Sequence, residues 1–119
     1  MHQLSEKTDL SFLKEKQLEM LCFAAYSLYL HFGKGVIITI EGVFEHVVSG
    51  DKKRAKQYSF PIGASGLMRL LAEHVRNFKL GPDASLRLEF SNGDVLTIRG
   101  EDGPYESYQI QHNGAQIVV

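Results

Sequence analysis

Chemistry in this 119-residue chain would have to come from a short set of side chains: five histidines, one cysteine, a few acid pairs and a basic run. His2, His31, His46, His74 and His112 show neither H-x-H nor H-x-x-x-H spacing, and no second cysteine joins them. A zinc site would therefore need ligands from distant segments. Glu45 and His46 are neighbours on an expected strand, so they point to opposite faces. All five histidines read as solvated surface residues. Cys22 lies inside the apolar run Met20-Leu21-Cys22-Phe23, where burial would leave a thiol inert. The pair Glu101-Asp102 sits between Gly100 and Gly103, as acids often do in turns. There is no G-x-S-x-G elbow and no glycine-rich phosphate loop. The reading is thus of a protein without catalytic, cofactor or metal residues. A small enzyme or ligand-binding protein with a site assembled between helix and sheet is the alternative.

The run Asp51-Lys52-Lys53-Arg54-Ala55-Lys56 stands alone without interleaved aromatics. Thirteen basic residues nearly balance fourteen acidic ones, a formal charge of -1. Nucleic-acid binders draw affinity from a basic excess that releases counterions, so this balance argues against such a partner. Tyr105-Glu106-Ser107-Tyr108 is the sharpest local signal: a polar-tipped aromatic pair of the kind that anchors protein partners, or simply strand tyrosines.

The elements that must position these residues begin with an internal repeat. Leu28 to Gly42 (LYLHFGKGVIITIEG) and Leu86 to Gly100 (LRLEFSNGDVLTIRG) match at a constant offset of 58, with identities at seven of fifteen positions. Alternation of Leu86, Leu88 and Phe90 with Arg87 and Glu89 marks a half-buried strand. A three-residue loop, Ser91-Asn92-Gly93, gathers the aliphatics on one face by pairing Leu88 with Leu96 and Leu86 with Ile98. The first copy then pairs Leu30 with Ile38 and Leu28 with Ile40. Such a loop ends on a left-handed residue, which places Gly93 and Gly35 in equivalent roles.

Between the copies, Leu67, Leu70, Leu71, either His74 or Val75, and Phe78 follow helical spacing, predicting one helix over Ser65 to Phe78 with Ser65 as its cap. An Arg69–Glu73 pair would lie one turn apart on it. A turn capped by Thr8 or Asp9 and a strand at Leu18–Phe23 precede the first hairpin. Val43 to Val48 should extend that hairpin's second strand past a bulge at Gly42. Asp51 to Gln57 reads as a loop, followed by a strand at Tyr58–Phe60. Tyr105–Gln111 and Ala115–Val119 read as strands about an Asn113-Gly114 turn. The expected fold is α+β: one domain over residues 1–119, mainly antiparallel sheet from two repeated hairpins, with one long helix between them. A chain of this length can bury a core without metals or disulfides.

The carboxyl-terminal third, L-x-L-x-F-S-N-G-D-x-L-T-I and then Tyr105-Glu106-Ser107-Tyr108, resembles a family of small bacterial proteins catalogued only as a domain of unknown function. Leu88, Phe90, Gly93, Leu96, Ile98, Tyr105 and Glu106 fall on its pattern L-x-F-x-D-G-x-x-L-x-[VI] … Y-E-x-W, and Tyr108 stands where tryptophan is more usual. Leu30 to Glu45 is similar to the family's first half, ending in an I-E-G-x-F-E-like run. The resemblance implies protein binding, as in immunity or accessory proteins, and supplies no catalytic residue.

The lone cysteine and the polar, charged Met1–Lys16 segment point to a cytoplasmic address, and no stretch is long enough to span a bilayer. The function so read is non-enzymatic association with a protein partner or a second copy, across the outer face of the sheet. Its candidate contact residues are Tyr29, Ile37, Glu41 and Val95, with Tyr105, Glu106 and Tyr108.

Overall fold

A computed structural model describes residues 9–50, 55–58, 65–81, 83–100, 108–112 and 114–119. Ten strands run in chain order: β1 (Leu18–Phe23), β2 (Leu28–Phe32), β3 (Ile37–Ile40), β4 (Phe44–Val47), β5 (Ala55–Tyr58), β6 (Val75–Leu80), β7 (Leu86–Phe90), β8 (Val95–Ile98), β9 (Tyr108–His112) and β10 (Ala115–Val118). They form two five-stranded sheets, ordered β1-β2-β3-β9-β10 and β5-β4-β8-β7-β6, with every pairing antiparallel. Inward residues of both sheets merge into one apolar core, including Leu28, Leu30, Ile38 and Ile40 from the first and Leu86, Leu88, Leu96 and Ile98 from the second.

Both hairpins adopt the register expected of them. Leu30 opposes Ile38 and Leu28 opposes Ile40; Leu88 opposes Leu96 and Leu86 opposes Ile98. Gly35 (φ +75°) and Gly93 (φ +89°) are both left-handed. The Phe32 N–H donates to the Val36 carbonyl, as Phe90 does to Asp94. The copies differ at one step, since Lys34 is also left-handed in the first turn (φ 62°).

The long helix does not form, and the fold is all-β rather than α+β. Among the described residues the only helical elements are short 3-10 turns. Ser65–Leu70 is such a turn, and Val75 to Leu80, the expected second half of the helix, is strand β6. The spacing of Val75 and Phe78 was helical only because β6 carries a bulge. Val75 opposes Phe90, the register shifts, and Phe78 and Leu80 then oppose Leu88 and Leu86. Valine, asparagine and phenylalanine also favour helix less than the leucines before them do. Tertiary hydrogen bonds complete the override. The Ala72 N–H donates to the Leu18 carbonyl (2.8 Å) and the Val75 N–H to that of Lys16 (2.9 Å), where a helix would have used bonds of its own.

These bonds reveal that the repeat is larger than its hairpins. β1 and β6 match over their whole length at a separation of 57 positions, from Leu18/Val75 to Phe23/Leu80, with a bulge at the same place. Glu15 and Ala72, also 57 apart, are both left-handed (φ 65° and 69°). Their bonds are reciprocal: Glu15 N–H to the Val75 carbonyl mirrors Ala72 N–H to that of Leu18. Likewise Leu18 N–H to Glu73 mirrors Val75 N–H to Lys16, and Gln17 bridges its own counterpart His74. Two similar halves thus meet about an approximate two-fold axis. Because a non-glycine residue pays for left-handed φ, Ala72→Gly should stabilise the protein by about 1 kcal/mol despite the added freedom of the unfolded chain, as a rise in urea midpoint.

Nor does Val43 to Val48 extend the first hairpin. β4 leaves the first sheet and pairs with β8 and β5 in the second, while β9 pairs with β3 in the first. Each half therefore gives its last two strands to the other's sheet. Phe44 opposes Ile98 as Tyr108 opposes Ile40, so β4 and β9 are equivalents 64 positions apart. The loop expected up to Gln57 also gives way, since Ala55–Tyr58 is already strand.

Candidate functional site

The two-fold relation makes departures from it informative. At the turn after Gly35 the buried residue is Val36; at the equivalent place after Gly93 it is Asp94, fully buried. Where β9 has the core residue Ile110, opposite Ile38, the equivalent residue of β4 is His46, opposite Leu96, and Phe12 corresponds to Arg69. An apolar trio in one half is thus a polar trio in the other. Two oxygens of Asp94 take four hydrogen bonds: His46 Nε2 to Oδ2 (2.8 Å), Arg69 Nε to Oδ2 (2.6 Å), Arg69 NH2 to Oδ1 (3.0 Å) and the Ser49 N–H to Oδ1 (2.8 Å). The Asn92 carboxamide oxygen accepts the Asp94 N–H (3.0 Å). Arg69 is the only half of this ion pair that meets water, its side chain 43% exposed against 0% for Asp94.

Burial alone would raise the Asp94 carboxyl. The donated bonds from Ser49, Arg69 and His46 outweigh it and hold the group below the usual carboxylate value near 3.8. A carboxylate ionised beside Arg69 makes His46 Nε2 the donor, which leaves Nδ1 as a buried nitrogen with no hydrogen-bond partner among the described residues. The centre joins β4, the Ser65–Leu70 turn and the β7–β8 turn. Ser49 contributes its main-chain N–H, and the partly exposed Arg69 side chain covers the carboxylate. Since the Asp94 value is lower folded than unfolded, its stabilisation is present above about pH 4 and disappears as pH falls through the folded value. Urea midpoints should drop with acidification in that window, and less steeply in Asp94→Asn.

The expected site residues are scattered. Tyr29 and Ile37 are half-buried on the outer face of the first sheet, Tyr29 accepting a bond from Ser27 Oγ (3.2 Å) and Ile37 opposite His31. Glu41 is exposed beyond β3 and accepts a bond from Gln109 (3.3 Å). Val95 belongs to the other sheet, where it lines an open depression of about 480 Å³ with Val47, Val48, Arg87 and Thr97. Tyr108 is wholly buried, its hydroxyl donating to the Ala84 carbonyl (2.6 Å). Tyr105, Glu106, Glu101-Asp102 and Lys52-Lys53-Arg54 lie outside the described residues. The outer-face residues therefore make two separate patches. His46 is the clearest misreading, a core residue taken for a solvated one. Its signal was available: in F-E-H-V it alternates with Glu45 on the side of Phe44. Cys22 departs in the other direction, being half-buried on an edge strand. Arg69 pairs with Asp94 rather than Glu73, which accepts Ser91 Oγ (2.8 Å). The cleft of the alternative reading has no helix to form it.

The second departure from two-fold symmetry is on the surface. Met20, Phe23, Tyr26, Met68 and Leu71 are the exposed large hydrophobic residues among those described. All belong to β1 and its turn or to the Ser65–Leu70 turn and the residue after it, a segment bonded to β1 through Ala72 and Leu18. Their counterparts are polar at the decisive places. Met20 corresponds to Asn77, Met68 to Ser11 and Leu71 to Lys14, all exposed, and half-buried Cys22 corresponds to exposed Lys79. The fold accepts polar residues at these positions, so it does not require the apolar ones.

Among the described residues β1 also ends its sheet. The Ala24 N–H bonds to the Ser27 carbonyl, which sets the alternation along the β1–β2 pair. Met20 and Cys22 then direct their peptide groups at β2, while Leu21 and Phe23 direct theirs outward. The matching edge, β6, carries Arg76 and Lys79, charges of the kind that discourage further pairing. Within β1 the single charge is Glu19. Among the described residues no group of three His, Cys, Asp or Glu is gathered to hold a metal, and no helix is long and apolar enough to cross a membrane. Comparison with family models, with curated proteins and with solved structures finds no match for this chain.

Proposed function

We propose that this protein is a non-enzymatic association module whose contact surface is the edge of β1 that no described strand pairs, together with the adjoining Ser65–Leu70 turn. One observation carries the reading. Among the described residues the exposed large hydrophobic ones all fall on this strip, while the equivalent strip of the other half presents Ser11, Lys14, Asn77 and Lys79. Apolar exposure concentrated on one face, where the fold tolerates polar residues, is the mark of a partner surface. An unpaired strand edge adds main-chain donors and acceptors that a partner strand can use. An immunity or accessory role, as the bacterial family resemblance implies, is one specific form of this function.

Photo-cross-linking in cells tests it. A photoreactive residue at Met20 or Met68 should give discrete protein adducts, and one at Asn77 should give none. Absence of adducts at both apolar positions, or equal yield at Asn77, would remove the proposal.

A further inference from the structure

Resting on that reading, we infer that the partner on this strip is a second copy of the same chain, with the two β1 strands paired antiparallel along Glu19–Phe23 about a two-fold axis at Leu21. In this register Leu21 exchanges both main-chain bonds with its own copy, as its outward peptide groups require. Met20 faces Cys22 of the other copy, so the outward side chains of the strand cover one another. Glu19 lies opposite Phe23 and not opposite Glu19, and no like charges meet.

The distribution of apolar residues selects this occupant. They lie at both ends of the strand: Met68 and Leu71 beside its start, through the Ala72–Leu18 bond, and Phe23 and Tyr26 at its finish. Antiparallel pairing with a second copy brings the start of one strand against the finish of the other. The Met68–Leu71 cluster of each copy then meets the Phe23–Tyr26 cluster of its mate, and one symmetric contact covers all five exposed residues. A two-fold contact of this type closes on itself and cannot propagate into fibres, because each copy has a single such edge. The β6 edge could not do the same, since pairing with itself would gather Arg76 and Lys79 of both copies.

Sedimentation equilibrium of the full chain between about 10 μM and 1 mM tests the inference. The native chain should be dimeric. Cys22→Lys, which copies the residue standing at the same place on β6, should raise the dissociation constant about 30-fold or more while leaving thermal unfolding at low concentration unchanged. Met20→Cys adds the register: mild oxidation should link it to Cys22 of the other copy as a reducible covalent dimer. A native chain that stays monomeric at 1 mM overturns the inference, and adducts to a different protein in the photo-cross-linking experiment would then leave the association reading standing. A dimer equally stable in Cys22→Lys also overturns it, by placing the contact on another face.

Discussion

Asp94→Ala is expected to cost about 3–5 kcal/mol in urea unfolding at neutral pH, among the largest single losses in this protein. The residue is fully buried, and its removal strands the Ser49 N–H, the His46 Nε2–H and the Arg69 guanidinium. Arginine can swing into water. The Ser49 N–H, on an exposed residue, can also find water, but the fully buried histidine cannot and is left as a donor without an acceptor. The molecule contains its own control. At the symmetric positions Val36 and Ile110 stand in the core without charge, and half-buried Phe12 packs against that core and stacks on His112. The triple variant Asp94→Val, His46→Ile, Arg69→Phe should therefore recover most of what Asp94→Ala loses, to within about 1 kcal/mol of the native chain or above it, since a well-packed apolar replacement of a buried ion pair is often neutral or better. An Asp94→Ala loss below about 1 kcal/mol would mean that the donors find water, and the buried centre would cease to matter for stability. If the triple variant proved no better than Asp94→Ala, the claimed equivalence of the two trios would fail.

Phe44→Ala should cost a similar amount, about 3–5 kcal/mol, for a different reason. Phe44 is the first residue of β4 after the chain crosses from one sheet to the other, and it is completely buried. It opposes Ile98 of β8 on one side and Tyr58 of β5 on the other. Removing the ring leaves a cavity at the point where one half grips the other. Hydrogen exchange should show the amides of β4 losing protection ahead of those in β2 and β7, whose hairpins close locally. Tyr108→Ala, at the equivalent crossing, should behave alike. Tyr108→Phe should cost only about 1 kcal/mol, the worth of the hydroxyl's bond to Ala84. A Phe44→Ala variant with native exchange in β4 would show that the exchanged strands are held by their hydrogen bonds rather than by this anchor.

Short-range pattern carried much of the architecture. The alternation of Leu28, Leu30 and Phe32, and of Leu86, Leu88 and Phe90, forces a two-residue period. The glycines at 35 and 93 then fix the register, because a one-residue slip would turn every aliphatic outward. The strand Leu18–Phe23 was legible from its short apolar run, Met20-Leu21-Cys22-Phe23, although it carries the same bulge as β6. The segment Leu67–Leu80 was not, because a bulge displaces Val75 by one place, and a bulged strand can imitate a helix. The misreading had an internal remedy. Leu10, Leu13, Leu18, Leu21 and Phe23 recur 57 positions later as Leu67, Leu70, Val75, Phe78 and Leu80, and the first of these segments already read as a turn and a strand.

The sequence by itself determined that the chain is built from two similar units with a shared hairpin register, since side-chain period and turn stereochemistry act over only a few residues. Only the tertiary structure decided that each unit lends its last two strands to the other, because loop length permits several partners and the choice depends on which distant edge completes the core. The same long-range choice set Asp94, His46 and Arg69 together from three separate elements. It also left β1 as the apolar edge, for exposure depends on what the rest of the fold fails to cover.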